Sequence, residues 1–187
     1  MAIRYKHSDI YSMYFCTFTC CNWINLFEIS NTYDAVYNWF KILKDKYNCD
    51  VVAYVIMPNH VHCILYFKDA GFDLNKIVSN GKRFMAYEII AQLKDKGATD
   101  VLKTLSDALT EREKKKGQLH KVFKDSFDAK AIYSENFLMQ KISYIHYNPV
   151  SGKWNLVNDF THYEHSTASF YELGISKHFT PLHYREI

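Results

Sequence analysis

The chain has 187 residues, a length suited to one domain. Hydrophobic residues make up 48% and charged residues 23%, which excludes a disordered or collagen-like chain. The formal charge of +3 is too small by itself to name a polyanionic partner. Aromatics reach 17%, whereas Gly (6) and Pro (3) are scarce, a profile of a packed core rather than a disulfide-stapled scaffold. No apolar run approaches the roughly 20 residues of a membrane span. Residues Met1 to His7 lack the apolar stretch of a secretory signal. The expectation is a soluble, cytoplasmic protein with no membrane partner. The five cysteines (Cys16, Cys20, Cys21, Cys49, Cys63) contain no Cys-x-x-Cys pair and read as reduced, buried packing residues.

In chain order, Tyr14 to Cys20 is rich in aromatic and β-branched residues and predicts a strand. Ser30 or Asn31 can cap a helix that carries Val36, Phe40 and Leu43 on one face and ends near Tyr47-Asn48. Asp50 to Met57 predicts a second, central strand. Pro58-Asn59 is a turn signal, and His60 to Phe67 a third strand, so the two strands form a hairpin. Asn75 to Lys94 has helical periodicity, with Ile77, Phe84, Tyr87, Ile90 and Ala91 on one broad face. Residues 97–120 are polar and predict a mobile insertion with a short helix around Val101 to Leu109. A fourth strand falls within Val122 to Tyr133. Ser134 then starts a helix through Phe137, Leu138, Ile142 and Ile145 that Pro149 stops.

This order gives an α+β fold, a ferredoxin-like split β-α-β antiparallel sheet with helices on one face. The expected organisation is one domain over 1–187, with a core of about 11–150 and an aromatic C-terminal extension over 151–187. Charge is uneven along it. Residues 76–130 carry 13 basic and 8 acidic side chains, while 1–75 carry 6 and 7 and 131–187 carry 4 and 5. Lys82, Arg83, Arg112, Lys114, Lys115, Lys116 and Lys121 are therefore the candidate phosphate contacts. A solvated helix end followed by a loop gives the same pattern.

Two constellations carry chemistry. Within a strand, residues i and i+2 share a face, so His60 and His62 project together while Val61 points into apolar packing. Two imidazoles at that spacing can hold a divalent ion that takes further ligands from elsewhere. Taken singly, His-x-His is most often a pair of surface histidines. On the last predicted helix, Tyr144 and Asn148 lie four residues apart on one face. That pair sets an oxygen nucleophile beside an oxygen ligand, although such a helix end more often holds a packed tyrosine.

Together these blocks are specific. Tyr54-x-Ile56-Met57-Pro58-Asn59-His60-Val61-His62, followed by Lys141-x-x-Tyr144-Ile145-His146-x-Asn148-Pro149-Val150, resembles the single-tyrosine HUH transposases, closest to the REP-associated tyrosine transposases. Phe15-x-Thr17-Phe18-Thr19 is similar to that family's first strand, and Tyr163-x-x-Ser166 with Tyr171 to its C-terminal signature. The resemblance implies metal-dependent cleavage and transfer of single-stranded DNA next to hairpins through a 5′-phosphotyrosine. It makes Tyr144 the nucleophile and His60, His62 and Asn148 the ligands of Mg²⁺ or Mn²⁺, with single-stranded or hairpin DNA as partner. Monomer and homodimer both stay open. The chain departs from the pattern at Phe123 to Phe127, where relatives carry a Trp-Gln pair, and at Ser151 to Trp154, which lacks an arginine. Two other activities fit the residues: a DNA-binding module without cleavage, and a phosphodiesterase using water. Tyr133 and Tyr147 are the alternative nucleophiles.

Overall fold

The computed structural model describes residues 11–187, so the first residues read above for a signal segment lie outside the described part. Strand β1 (Met13–Thr19) leads through a short turn to α1 (Leu26–Ser30) and α2 (Tyr33–Tyr47). Helix α2 ends where Asn48 enters the left-handed region at φ 45°, with its N–H bonded back to Leu43 O. Strand β2 (Cys49–Met57) and strand β3 (His60–Phe67) form the predicted hairpin across Pro58-Asn59. Next come α3 (Leu74–Asp95), α4 (Thr99–Asp107), α5 (Glu111–Lys115), β4 (Asp128–Ala131), α6 (Glu135–Tyr147) and α7 (Ala168–Leu173). Ser134 caps α6 by accepting from Phe137 N–H, as its position predicts.

The four strands are antiparallel neighbours in the order β2-β3-β1-β4. β3 lies between β1 and β2, and β1 between β3 and β4, so both crossovers are split in the ferredoxin-like manner. Period-two alternation divides each strand between two cores. Tyr14, Cys16, Phe18, Val61, Cys63 and Leu65 face α2 and α3. Phe15, Val55, Ile64 and Met57 face α6 through Leu138, Ile142 and Ile145. The antiparallel α+β sheet is as predicted, but its helices are not confined to one face: α6 covers the side opposite α2 and α3. A strand buried on both faces reads as continuously apolar, and every residue of β2 is buried.

Four local expectations change. Asn31 is the left-handed C-cap of α1, at φ 56°, rather than the cap of α2, and Ser30 donates instead to Leu26 O. The buried face of α3 runs through Leu74, Ile77, Val78, Gly81, Met85, Ile89 and Leu93, leaving Phe84 and Tyr87 exposed. Residues 97–120 hold two helices, with Leu105 and Leu109 buried and a Thr110–Glu113 capping box opening α5. The fourth strand is shorter than its span, because residues 122–124 instead pair with Thr19 and Cys21.

The aromatic extension covers the outer edge of β2. Ile56 N–H donates to His165 O (2.8 Å), Thr167 N–H to Tyr54 O (3.0 Å) and Leu182 N–H to Val51 O (2.9 Å). The hydroxyls of Tyr163 and Tyr171 donate to Ile56 O and Val52 O. These contacts satisfy backbone groups that an edge strand otherwise presents to solvent. All five cysteines are free and buried, and burial raises every one of their pKa values. Among the described residues, no helix is long and apolar enough to cross a membrane.

Candidate active site

The site forms on the α6 face at the start of β3. Cross-strand register sets Thr19 opposite His60 and Thr17 opposite His62, all on one side of the sheet. The His60 and His62 rings pack edge to face with centroids 4.7 Å apart. Phe15 stacks on His62 at 5.5 Å. Burial holds both imidazoles well below the ordinary value, His60 at about 4 and His62 at about 3. At His60 the Asn148 side chain opposes part of that fall. Both rings are therefore neutral at pH 7, the state in which a histidine offers a lone pair.

Which nitrogen offers it follows from the neighbours. Asn59 is buried, and its Nδ2 donates to Trp23 O (2.8 Å) and Asn25 Oδ1 (3.2 Å). That fixes the amide so that Oδ1 lies 2.7 Å from His60 Nδ1. An amide oxygen only accepts, so His60 Nδ1 carries the proton and Nε2 the lone pair. Thr17 Oγ1 stands 2.7 Å from His62 Nδ1, and a hydroxyl can accept there, which is the arrangement that leaves the lone pair on His62 Nε2. Contacts of this kind orient imidazoles for metal binding in proteins that hold a metal through histidine.

Helix α6 brings Tyr144 to the pair. Its hydroxyl is 3.5 Å from His62 Nε2, its ring packs 5.1 Å from that imidazole, and the side chain is half exposed. The other two tyrosines lie elsewhere: Tyr133 stacks on Phe137 and Tyr147 on Phe160. One turn beyond Tyr144, Asn148 Oδ1 is buried and makes no well-formed hydrogen bond, although the side chain reaches His60 closely enough to act on its proton affinity. An amide oxygen beside the histidine pair gives a mixed N/O donor set suited to a divalent ion with open positions. Among the described residues there is no group of three or more His, Cys, Asp or Glu side chains that could hold a metal, so the third donor here is an amide.

A scan against family models matches residues 10–105 to the family described as "Transposase IS200 like". The chain belongs to the IS200-like transposase family. The match includes the two histidines of this transposase but ends before α6, so Tyr144 and Asn148 rest on geometry. Among solved structures, a REP-associated tyrosine transposase bound to a REP hairpin is similar, at TM-score 0.59 and 18% identity, covering 95% of this chain and 91% of that one. At that identity the likeness shows a shared fold. A candidate transposase from Deinococcus radiodurans R1 matches at TM-score 0.40 and 13% identity, over 71% of this chain and 87% of that one. No curated protein matches the sequence.

The seven basic residues differ in exposure. Arg83, Arg112, Lys114, Lys115 and Lys116 of the transposase are exposed. Lys82 is buried, and its ammonium donates to Lys124 O (2.6 Å), Asp125 O (3.3 Å) and Ser126 O (3.4 Å). Lys82 thus turns its ammonium inward, unlike the five exposed cations. Lys121 is likewise engaged, bonded to Glu113 at 2.8 Å and Asp125 at 3.2 Å. Sequence reasoning passed over Thr17, Trp23, Lys141 and Trp154. Lys141 Nζ sits 5.0 Å from the Phe15 ring and 5.7 Å from the Tyr144 ring. Trp23 and Trp154 flank His60, each at 6.0 Å. Thr17 stands in the strand signature Phe15-x-Thr17 and Lys141 opens the block that holds Tyr144, whereas no motif marks Trp23.

Proposed function

We propose that this transposase cleaves and rejoins single-stranded DNA beside hairpins through a tyrosine-linked 5′-phosphate. The observation that carries the reading is the approach of Tyr144 to the histidine pair at 3.5 Å, from an element 82 residues away. His60 Nε2, His62 Nε2 and Asn148 Oδ1 would hold Mg²⁺ or Mn²⁺, which when bound polarises a phosphate and stabilises developing charge. Tyr144 Oη forms a bond to phosphorus as the bond from phosphorus to the 3′-oxygen breaks. The phenolic proton is lost, the 3′-oxygen gains one, and the 5′-phosphate stays on the tyrosine. The covalent ester keeps a reactive phosphodiester for rejoining, so transfer needs no ATP. Lys141, beside Tyr144, adds positive charge where the phosphate would lie. Arg83, Arg112 and Lys114 to Lys116 supply phosphate contacts at a distance. The reading takes 1–187 as one domain, with the extension over 151–187 bracing β2.

The test is incubation of the parent protein and Tyr144→Phe with labelled hairpin DNA from the flanks of its own gene, with Mn²⁺, followed by a denaturing gel. The expected result is a protein–DNA adduct in the parent that vanishes in the variant. Cutting that persists in Tyr144→Phe transfers the nucleophile to water or another tyrosine. Binding without cutting in either protein leaves a DNA-binding module.

A further inference from the structure

Trp23 is a half-exposed indole beside His60 in an unusual backbone. Asn22 (φ 52°) and Trp23 (φ 58°) are consecutive non-glycine residues in the left-handed region, which bulky side chains rarely adopt. The conformation is held by Trp23 N–H donating to Cys20 O (3.2 Å) and by Asn59 Nδ2 donating to Trp23 O (2.8 Å). The same Asn59 orients His60, so the indole and the imidazole are set by one amide. Lys124 Nζ lies over the Trp23 ring at 4.2 Å.

Lys124 also belongs to a second feature. Backbone bonds from Lys124 N–H to Thr19 O and from Cys21 N–H to Val122 O fix residues 122–124 alongside the start of the Trp23 turn. On their far side, α3 and residues 116–125 enclose an open groove of about 820 Å³, at the upper end of the range for ligand sites. Its floor is apolar, with Ala86, Ile90 and Phe123. Its rim carries exposed Arg83, Lys94, Lys116 and Lys124. Asp125 is the one acidic residue lining it, and it pairs at 3.2 Å with Lys121, which Glu113 shares at 2.8 Å. Phe84, Tyr87 and Leu119 stand exposed at or beside the groove, and Arg83 lies over the Phe84 ring at 5.0 Å.

We infer that Trp23 and this groove form one path for the single-stranded flank of the DNA substrate, running from His60 over the indole, past Lys124 and along α3. The occupant's chemistry is specified twice. Four exposed cations against a single lining carboxylate suit a polyanion, and exposed aromatic faces over an apolar floor suit unpaired bases. Arg83 and Lys116 are shared with the phosphate contacts proposed above, whereas Trp23, Lys94 and Lys124 have no part in them; the path rests on the reading of the reaction as DNA cleavage. Trp23 acts as a positioning residue, holding the nucleotide next to the one cut.

The test uses the full chain and fluorescently labelled oligo(dT) of about 15 nucleotides, a length near the upper site size for single-strand binders. Anisotropy gives Kd for the parent, Trp23→Ala, Trp23→Tyr and the double variant Arg83→Ala/Lys94→Ala. Trp23→Ala should weaken binding about 5- to 100-fold, and Trp23→Tyr should recover most of the loss. The double variant should lower the salt slope by about 1.4, near 0.7 for each single-strand phosphate contact. Parent protein that fails to bind, Trp23→Ala that binds within about twofold, or an unchanged slope overturns the inference. Because Trp23 is exposed and the two cations lie on the rim, thermal unfolding of each variant should match the parent. Adduct formation is scored separately. An adduct with unchanged Trp23→Ala affinity sinks the path alone, whereas no adduct with the predicted affinity losses sinks the cleavage reading and leaves the path standing.

Discussion

Replacing Asn59 with alanine should damage stability and metal binding together, because one buried amide links the Trp23 turn to the His60 ring. The substitution removes two donated bonds, at 2.8 and 3.2 Å, and the 2.7 Å acceptor for His60 Nδ1–H. Trp23 is exposed, so its carbonyl can turn to water at little cost. His60 is buried, so its orphaned N–H cannot. With the Trp23 carbonyl resolvated, about 1 kcal/mol for the bond to Asn25 Oδ1 and about 1–3 kcal/mol for the buried orphan make the loss about 2–4 kcal/mol. For a chain of this length that lowers Tm by about 5–15 °C. Removing an outer partner of a metal-binding imidazole should also weaken Mn²⁺ binding about 10- to 100-fold. Thermal unfolding without metal measures the first effect, and calorimetric titration with Mn²⁺ the second. Asn59→Asp keeps an oxygen on His60 Nδ1 and should retain more Mn²⁺ affinity than the alanine variant. The reasoning is refuted if Asn59→Ala melts within about 2 °C of the parent and binds Mn²⁺ equally well.

Gly81 lies where α3 crosses α2, and a Cβ there would overlap the buried Trp39 indole, 2.7 Å from Cε2 and 2.8 Å from Cδ1. Gly81→Ala should therefore lower the urea midpoint, the overlap of about 1–3 kcal/mol outweighing the ~1 kcal/mol that alanine adds in an open helix. Without metal, stability should fall as pH drops from about 6.5 to about 4. His60, His62 and His146 are held by burial at about 4, 3 and 4, so in that window the unfolded chain binds protons that the native state does not. The slope reaches about 1.4 kcal/mol per pH unit for each histidine, and urea unfolding at several pH values that shows no decline contradicts it. Lys82→Met should cost about 1–3 kcal/mol by orphaning carbonyls of residues 124–126, while the salt slope of single-strand binding stays unchanged. A reduced slope would return Lys82 to the phosphate contacts.

Local signals were legible where one residue type carries one mechanism. Ser134 as a cap, Asn48 as a left-handed stop and Pro58-Asn59 as a hairpin turn all follow from backbone chemistry that needs no partner. The side of the sheet on which α6 packs does not follow, because a fully apolar β2 is compatible with cover on either face. Helix α3 read as one face through Ile77, Phe84 and Tyr87, whereas the buried face runs through Gly81, which carries almost no hydropathy and admits Trp39. Lys82 read as a surface charge because its three carbonyl partners lie more than 40 residues away. At the site, alternation alone set His60 and His62 on one face. The meeting of His62 with Tyr144 came only through the paired motifs, and Trp23 had no motif to announce it.

The cover over β2 also has a history in time. Tyr54 meets Thr167 across 113 residues of chain. At about 5–20 residues per second, a ribosome needs roughly 6–23 s to make that stretch. During that interval the hairpin bearing both histidines exists with its outer edge open, and it is protected only when residues 165–182 arrive. A chain cut before residue 163 would therefore keep an open strand edge, prone to pairing with other chains. In that way residues 163–182 decide whether the hairpin that bears the histidines stays shielded.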